Sequence, residues 1–273
     1  MRPDVNLTHP NIKYIDHCIE GLPHWAKITD TVIVLTKPER IATLYPELMR
    51  RKPSGLHIVG GLKTFMLKDD YADPAGWQAI ARSAQRVVNI TGNNVVVLGS
   101  ETPLTPFHRG EATIDFDKLR KSLVPLRDTG IQFWWHPVRI LSSSPKFPNR
   151  EKESTRLVET ILDVLPDSVF LTAYTSWHGY EQNRHGELSM RKKMIDLVGV
   201  DHIHDRIFPT PDGYWHYSGG KKKRCSTTAE AITQLNKPNG GVIMDIFPGG
   251  LSWVQVAKEF AEAMPNSAKS EQP

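Results

Sequence analysis

The strongest constraint on the fold of this chain is a regular alternation between short apolar runs and longer amphipathic stretches. The clearest run, Val95 to Leu98, is unbroken and β-branched, which is typical of a strand buried on both faces of a parallel sheet. Repeated strand–helix units imply parallel pairing with right-handed crossovers. The predicted strands are Tyr14–Cys18, Thr31–Leu35, Leu56–Gly60, Asn94–Leu98, Ile131–Trp135, Val169–Ala173, Arg206–Phe208 and Gly241–Asp245.

Eight strands, the last of them followed by a helical pattern, favour a closed (β/α)8 barrel of the TIM type. A doubly wound sheet or an incomplete barrel is the alternative if the first or the seventh predicted strand fails. The amphipathic stretches end at typical stop signals, such as Thr91-Gly92, Thr129-Gly130 and Gly199. The predicted helices are Pro38–Arg50, Asp73–Ile90, Asp115–Arg127, Arg150–Leu165, Gly186–Val198 and Leu251–Met264.

The length and composition fit a single globular domain. The chain has 273 residues, of which 39% are hydrophobic and 23% charged, and one barrel commonly takes about 250 residues. We therefore predict one barrel over residues 1–273, with a short polar tail at 265–273. No apolar run approaches the roughly 20 residues that span a bilayer, so no membrane partner is expected.

Cysteine content and the N-terminus predict a cytoplasmic location. Cys18 and Cys225 are the only cysteines, too few for a disulfide framework, which favours a reducing compartment. The segment Met1 to Pro10 is polar and carries no hydrophobic signal-peptide core. The sequence leaves the oligomeric state open.

A net charge of +4, from 34 basic and 30 acidic residues, is weak evidence for a polyanionic partner. The basic run Lys221 to Arg224 follows Ser218-Gly219-Gly220, which predicts a hairpin tip or a flexible loop. Such a run is either a solvated turn or a phosphate or nucleic-acid contact. Because no helix-turn-helix, zinc-finger or RNA-recognition pattern accompanies it, nucleic acid is not an expected partner.

A barrel of this type carries its active site at the carboxyl ends of its strands. Polar and aromatic residues recur at these positions along the chain. The residues predicted at the rim are Asp16 and His17 from the first strand, Lys63 after the third, Glu101 after the fourth, His136 after the fifth, Tyr174, Trp177 and His178 after the sixth, Asp212, Tyr214 and Trp215 after the seventh, and Asp245 at the end of the eighth.

The aromatic residues in this set suggest a carbohydrate ligand. Flat rings stack on sugar C–H groups, while His, Asp and Lys side chains bond to the hydroxyls. Trp135, Trp177 and Trp215 all fall in the predicted rim, together with Tyr174 and Tyr214. The competing interpretation is packing, because Trp134 or Trp135 must face the core if the strand alternates.

The carboxylates suggest glycosidic cleavage, which needs a proton donor and a second carboxylate. Glu101 is the best candidate for the acid/base and Asp245 for its partner, with Asp212 and Asp16 as substitutes. A separation of about 5 Å implies retention of configuration, and roughly 6.5–9.5 Å implies inversion. Each carboxylate also has a structural interpretation, since Glu101 could cap a helix or pair with an Arg, and Asp245 could be buried and hydrogen-bonded.

At these residues the sequence resembles the barrel-type glycoside hydrolases in which a Glu ends the fourth strand, here Val95 to Glu101. The preceding strand, Leu56 to Lys63, is also similar. The resemblance implies a hydrolase without a cofactor or metal, acting on a small-molecule or oligosaccharide substrate, with Glu101 as the acid/base. The chain departs from the family in having Ser100 where an Asn usually precedes the Glu, and no Glu ends its seventh strand.

Three alternatives stay open. Glu101, His136, His178 and Asp245 follow the ligand order of amidohydrolase-like barrels, which would make a zinc-dependent hydrolase, although Asp16-His17-Cys18 replaces the usual His-x-His. The turn Pro248-Gly249-Gly250 could bind phosphate or simply be a tight turn. A non-catalytic barrel that binds a saccharide or a protein partner is the last alternative.

Overall fold

The computed structural model describes residues 4–7, 15–27, 31–63, 73–99, 113–136, 138, 140–141, 143–171, 187–207, 209–210, 213–218, 221–224, 241–243, 258 and 262. The strands, in chain order, are β1 (Asp4–Leu7), β2 (Thr31–Thr36), β3 (His57–Lys63), β4 (Val95–Gly99), β5 (Gln132–Trp135), β6 (Val169–Leu171), β7 (Ile203–Ile207), β8 (Pro209–Thr210), β9 (Gly213–Ser218), β10 (Lys221–Arg224) and β11 (Gly241–Ile243). The α-helices are α1 (Ile15–Trp25), α2 (Ile41–Arg51), α3 (Pro74–Thr91), α4 (Phe116–Ser122), α5 (Val124–Arg127), α6 (Arg150–Val164) and α7 (Glu187–Val198). Short 3-10 helices cover Pro38–Arg40 and Val200–His202.

Eight of these strands form a closed parallel barrel in the order β1-β11-β7-β6-β5-β4-β3-β2. Closure depends on β1, which pairs in parallel with both β2 and β11. The remaining strands, β8 to β10, form a separate antiparallel sheet between the seventh and the eighth barrel strand. The predicted (β/α)8 barrel is therefore confirmed.

The predicted first strand is wrong. Residues 15–25 form helix α1, and the first barrel strand is β1, ten residues earlier in the chain. Ile19, Leu22 and Trp25 are buried and recur at helical spacing, so they supply the apolar face of a helix rather than of a strand. The strand β1 has the sequence Asp-Val-Asn-Leu, whose two apolar residues are too few to predict a strand from sequence. These four residues form a strand because they pair with both β2 and β11.

Other boundaries agree more closely with the sequence. The strands β2 to β5 lie where the apolar runs predicted them, and β7 begins three residues before the predicted Arg206. Helix α3 starts at a capping residue, Asp73, whose carboxylate accepts hydrogen bonds from the Ala75 and Gly76 amides, both at 3.0 Å. It ends at Gly92 in the left-handed conformation, as predicted. Of the predicted last helix, only Lys258 and Glu262 are described, and both are helical.

The residues of the barrel strands alternate between two apolar clusters. One set of side chains fills the barrel interior, and the other packs between the strands and the helices. On β2, for example, Ile33 and Leu35 point inward, whereas Val32 and Val34 face the helices. The described interior residues are Ile33, Leu35, Val59, Val97, Trp134, Val169 and Leu171.

A buried tyrosine hydroxyl links β2 to β3. Tyr45 on α2 is completely buried, and its hydroxyl accepts a hydrogen bond from the Gly61 amide at 2.9 Å and donates to the Val34 carbonyl at 2.6 Å. Burial raises the pKa of this hydroxyl, so it stays protonated and able to donate at neutral pH. A Cβ at Gly60 would lie 3.3 Å from the Tyr45 hydroxyl and would overlap Val87. The glycine therefore lets α2 and α3 approach the strand closely.

Inside the barrel, one side chain occupies the space beside two glycines. A Cβ on Gly61 would overlap Leu35 Cδ2, and a Cβ on Gly99 would lie 2.8 and 2.9 Å from the two methyl carbons of Leu35. The barrel interior is narrow, so a large residue on one strand requires small residues on its neighbours. Leu35 thus fills the level of the barrel just below the carboxyl ends of β3 and β4.

No helix in the described part of the chain combines the length and the apolar character that crossing a bilayer requires.

We predict that Tyr45→Phe lowers the free energy of unfolding by about 1–3 kcal/mol, because the Gly61 amide and the Val34 carbonyl then lose a buried hydrogen-bond partner. Urea denaturation measures the change. Thr43→Val is the control, since it removes a hydroxyl from the exposed side of the same helix, where only the Arg40 carbonyl is bonded. Equal stability of Tyr45→Phe and the wild type would contradict this role.

We predict that Gly99→Ala is destabilising by about 1–3 kcal/mol in the wild type but close to neutral in a Leu35→Ala background. The added methyl group competes only with the side chain that the second substitution removes. Leu35→Ala should restore less of the stability that Gly61→Ala loses, because a Cβ at position 61 would also lie 3.1 Å from the Val97 carbonyl oxygen. Additive free energies in the Gly99 double-mutant cycle would show that Leu35 does not set this constraint.

Candidate functional site at the carboxyl ends of β3, β4 and β5

Three of the predicted site residues end or follow, in the sequence, three adjacent strands of the barrel. Lys63 is the last residue of β3 and pairs with Gly99, the last residue of β4. His136 directly follows β5, and its amide donates a hydrogen bond to the Leu98 carbonyl at 2.8 Å. Glu101 lies two residues beyond Gly99, outside the described residues. The fold thus brings the ends of these three strands to one part of the rim.

The strand register indicates which face of the sheet these positions occupy. Val97 and Trp134 point into the barrel, and the space beside Gly61 and Gly99 lies on the same side. Alternation then puts positions 63 and 136 on the barrel-facing side, each two residues beyond an inward position. Glu101 has the same sequence parity as Val97 and Gly99.

His136 is the one predicted site residue whose side chain the structure describes. The side chain is 7% exposed, and its backbone continues the β4–β5 ladder by one further hydrogen bond. An imidazole offers two nitrogens that can donate or accept, so a buried histidine at a strand end can bond to a sugar hydroxyl or to a carboxylate.

The floor beneath these three strand ends is apolar. Leu35 lies against Gly61 and Gly99, directly before the last residues of β3 and β4. A carboxyl group above such a surface loses hydration, which raises its pKa and favours the protonated form. Sequence reasoning missed Leu35 because an apolar residue inside a strand carries no functional signal by itself.

The tryptophans of β5 are structural, so the predicted rim position of Trp135 is wrong. Trp134 fills the barrel interior, and Trp135 is fully buried between the barrel and the helices. The ring of Trp135 packs against Trp77 of α3 with centroids 6.1 Å apart, and its Nε1 donates a hydrogen bond to Ser168 Oγ at 3.1 Å. Of the two interpretations of these residues, packing is therefore the correct one.

Two further predictions change with the fold. Asp16 was expected at the end of the first strand, but that position is wrong because the residue lies in the first turn of α1. Tyr214 and Trp215 lie on β9, in the separate antiparallel sheet. Because consecutive strand positions alternate, these two residues occupy opposite faces of that sheet and cannot line one surface together.

The remaining predicted residues lie outside the described part of the chain. The predicted site residues outside the described ranges are Glu101, Tyr174, Trp177, His178, Asp212 and Asp245.

Among the described side chains, no cluster of three or more His, Cys, Asp or Glu residues is arranged to hold a metal ion. Of the predicted zinc set of Glu101, His136, His178 and Asp245, only His136 belongs to that part of the chain. The zinc-dependent alternative therefore stays a prediction.

The structure also shows two clefts at the opposite, amino-terminal end of the strands. A cleft of 560 Å³ is lined by residues that precede or begin β4 to β7, among them Asn94, Gln132 and His202, and a cleft of 330 Å³ lies beside it. The Asn94 side chain donates to the Gly130 carbonyl and the Gln132 side chain to the Asp167 carbonyl, both at 3.0 Å. These bonds tie neighbouring loops together, so this end has the polar contacts of a stabilising face.

No protein-family model matches the chain, and no curated protein sequence matches it. Solved structures do match over almost its full length. A sugar phosphate isomerase/epimerase from Parabacteroides distasonis is 10% identical with a TM-score of 0.52, and covers 99% of this chain and 95% of its own. A 3-keto-D-glucoside 4-epimerase from E. coli is 11% identical with a TM-score of 0.52, over 96% and 97% of the two chains. A xylose isomerase domain protein from Alicyclobacillus acidocaldarius is 16% identical with a TM-score of 0.50, over 96% of each.

These similarities establish the fold and no more, because the identities are low. They confirm the (β/α)8 architecture that the resemblance to barrel-type glycoside hydrolases implies.

Proposed function

We propose that this protein is an enzyme that acts on a carbohydrate through acid/base chemistry at the carboxyl rim of the barrel, with Glu101 as the acid/base. One observation carries the proposal: Lys63 pairs with Gly99, and the His136 amide bonds to Leu98, so a lysine and a histidine flank the strand that leads to Glu101. The structural neighbours are named as isomerases and epimerases of sugars, which supports a carbohydrate substrate.

The described residues at the end of β4 support a proton donor in this region. The apolar floor formed by Leu35 would raise the pKa of a carboxyl group near it, whereas a nearby ammonium group such as that of Lys63 would lower that pKa. Lys63 and His136 would bind the hydroxyls of the sugar.

The finer proposal is hydrolysis of a glycosidic bond, in which Glu101 protonates the leaving oxygen and Asp245 is the second carboxylate. Isomerisation or epimerisation of a free sugar is the alternative reaction, because a single acid/base is sufficient to move a proton next to a sugar carbonyl. The names of the structural neighbours favour this alternative.

We predict that Glu101→Gln lowers kcat by about 10²–10⁴-fold on the accepted sugar, with little change in Tm, because it removes the transferable proton but keeps the side-chain shape. The wild type is first assayed against a panel of glycosides and of free aldoses and ketoses. Glu159→Gln, the same substitution on the exposed side of α6, is the control and should retain full activity.

Asp245→Asn separates the two reactions. A loss as large as that of Glu101→Gln, together with glycoside cleavage, supports the two-carboxylate hydrolase. Conversion of free sugars that survives Asp245→Asn supports the isomerase or epimerase. Full activity of Glu101→Gln on a confirmed substrate contradicts the assignment of Glu101.

We predict that the activity survives chelation and that His136→Gln raises KM by about 10-fold, as the loss of one hydrogen bond to a hydroxyl would. Gln132→Ala, at the opposite end of the same strand, should leave KM unchanged because its side chain bonds only to the Asp167 carbonyl. Metal analysis of the purified protein accompanies both assays. Stoichiometric zinc that is lost in His136→Gln would replace this mechanism with the metal-dependent hydrolase.

A further inference from the structure

The basic run of the sequence is a paired strand rather than the tip of a turn. Residues Lys221 to Arg224 form β10, which pairs with β9 in antiparallel register from Lys221 opposite Ser218 to Arg224 opposite Trp215. Gly219-Gly220 stands between the two strands in the sequence, which is typical of a two-residue hairpin loop. This sheet begins at Pro209, two residues after β7 reaches its carboxyl end.

The register sorts the aromatic and basic residues of this hairpin into two faces. Directly opposed residues of antiparallel strands share a face, and their Cβ atoms lie about 4.5–5.5 Å apart. Trp215 opposes Arg224 and Tyr217 opposes Lys222, and alternation puts both pairs on the same side. We call these four positions the aromatic–basic face. The opposite face has Lys223 opposite His216 and Lys221 opposite Ser218.

We propose that the aromatic–basic face, on which the register places Lys222 and Arg224 beside Tyr217 and Trp215, binds a phosphorylated sugar. This inference rests on the proposed function and specifies the substrate class of the same enzyme. A guanidinium group and an ammonium group on one face match the two or more acceptor oxygens of a phosphate monoester. Aromatic rings present a flat surface to the C–H groups of a sugar ring.

Charge favours phosphate over a neutral sugar. Lys222 and Arg224 are cationic positions two residues apart on one face, so they repel each other, and a dianion bound between them relieves that repulsion. A neutral saccharide would gain nothing from them beyond ordinary hydrogen bonds. The cationic strand also lies in the connection that follows the carboxyl end of β7, and the carboxyl ends of the barrel strands form the rim at which Glu101 is proposed to act.

The experiment compares two double variants of the full-length protein that lose the same charge from opposite faces. Lys222→Gln/Arg224→Gln alters the aromatic–basic face, and Lys221→Gln/Lys223→Gln is the matched control. Calorimetry measures binding of glucose 6-phosphate and fructose 6-phosphate beside glucose and fructose. We expect the first variant to bind the phosphorylated sugars about 10-fold more weakly or worse, and the unphosphorylated sugars unchanged. The control variant should stay within about twofold of the wild type.

Three outcomes overturn the inference: no binding of either sugar phosphate by the wild type, equal weakening in both double variants, or tighter binding of a single-stranded oligonucleotide that both variants lose equally. The last result would assign the strand to nucleic acid. The proposed function is judged separately. If the wild type converts a sugar that Glu101→Gln does not convert, but binds neither sugar phosphate, the enzyme assignment stands and the phosphate site fails.

Discussion

The packing of Leu35 inside the barrel is the contact on which the geometry of the upper barrel depends. Its side chain occupies space that a Cβ at either Gly61 or Gly99 would enter, so β2, β3 and β4 can close together only with glycine at both positions. On the outer side, Gly60 leaves room for Tyr45 and Val87, and the Tyr45 hydroxyl bonds to backbone groups of both β2 and β3. Gly60 therefore makes room on the helix-facing side of β3, and Gly61 makes room on the barrel-facing side.

The same packing defines the region where chemistry is proposed. Because Leu35 fills the level below the strand ends, polar residues at the next barrel-facing positions lie above an apolar surface rather than inside a channel. Lys63 and His136 occupy such positions on the strands next to β4. An apolar layer directly below a polar group excludes water on that side, which strengthens its electrostatic interactions. The separate β8–β10 sheet follows β7 and adds the cationic run Lys221 to Arg224 and the aromatic residues of β9 to the connection before the last barrel strand.

The elements that could be predicted from the sequence are those with a strong local pattern of residues. The strands β2 to β5 were predictable because runs such as Val95 to Leu98 are buried on both faces and therefore continuously apolar. The ends of α3 were predictable because Asp73 and Gly92 act through local backbone geometry. The strand β1 was not predictable, since it has only two apolar residues and exists through its pairing with β2 and β11. The local apolar pattern at Tyr14–Cys18 also could not reveal that Ile19, Leu22 and Trp25 extend it into the buried face of a helix.

The sequence by itself determined the fold class and the candidate residues Lys63, Glu101 and His136, because periodicity and residue type are local properties. Only the tertiary structure decided which of these residues are neighbours. Register is set by hydrogen bonds between strands far apart in the chain, and a shift of one residue would reverse every face. That register brought Lys63 beside Gly99, assigned Trp135 to the helix layer, and placed Tyr214 and Trp215 on opposite faces of β9.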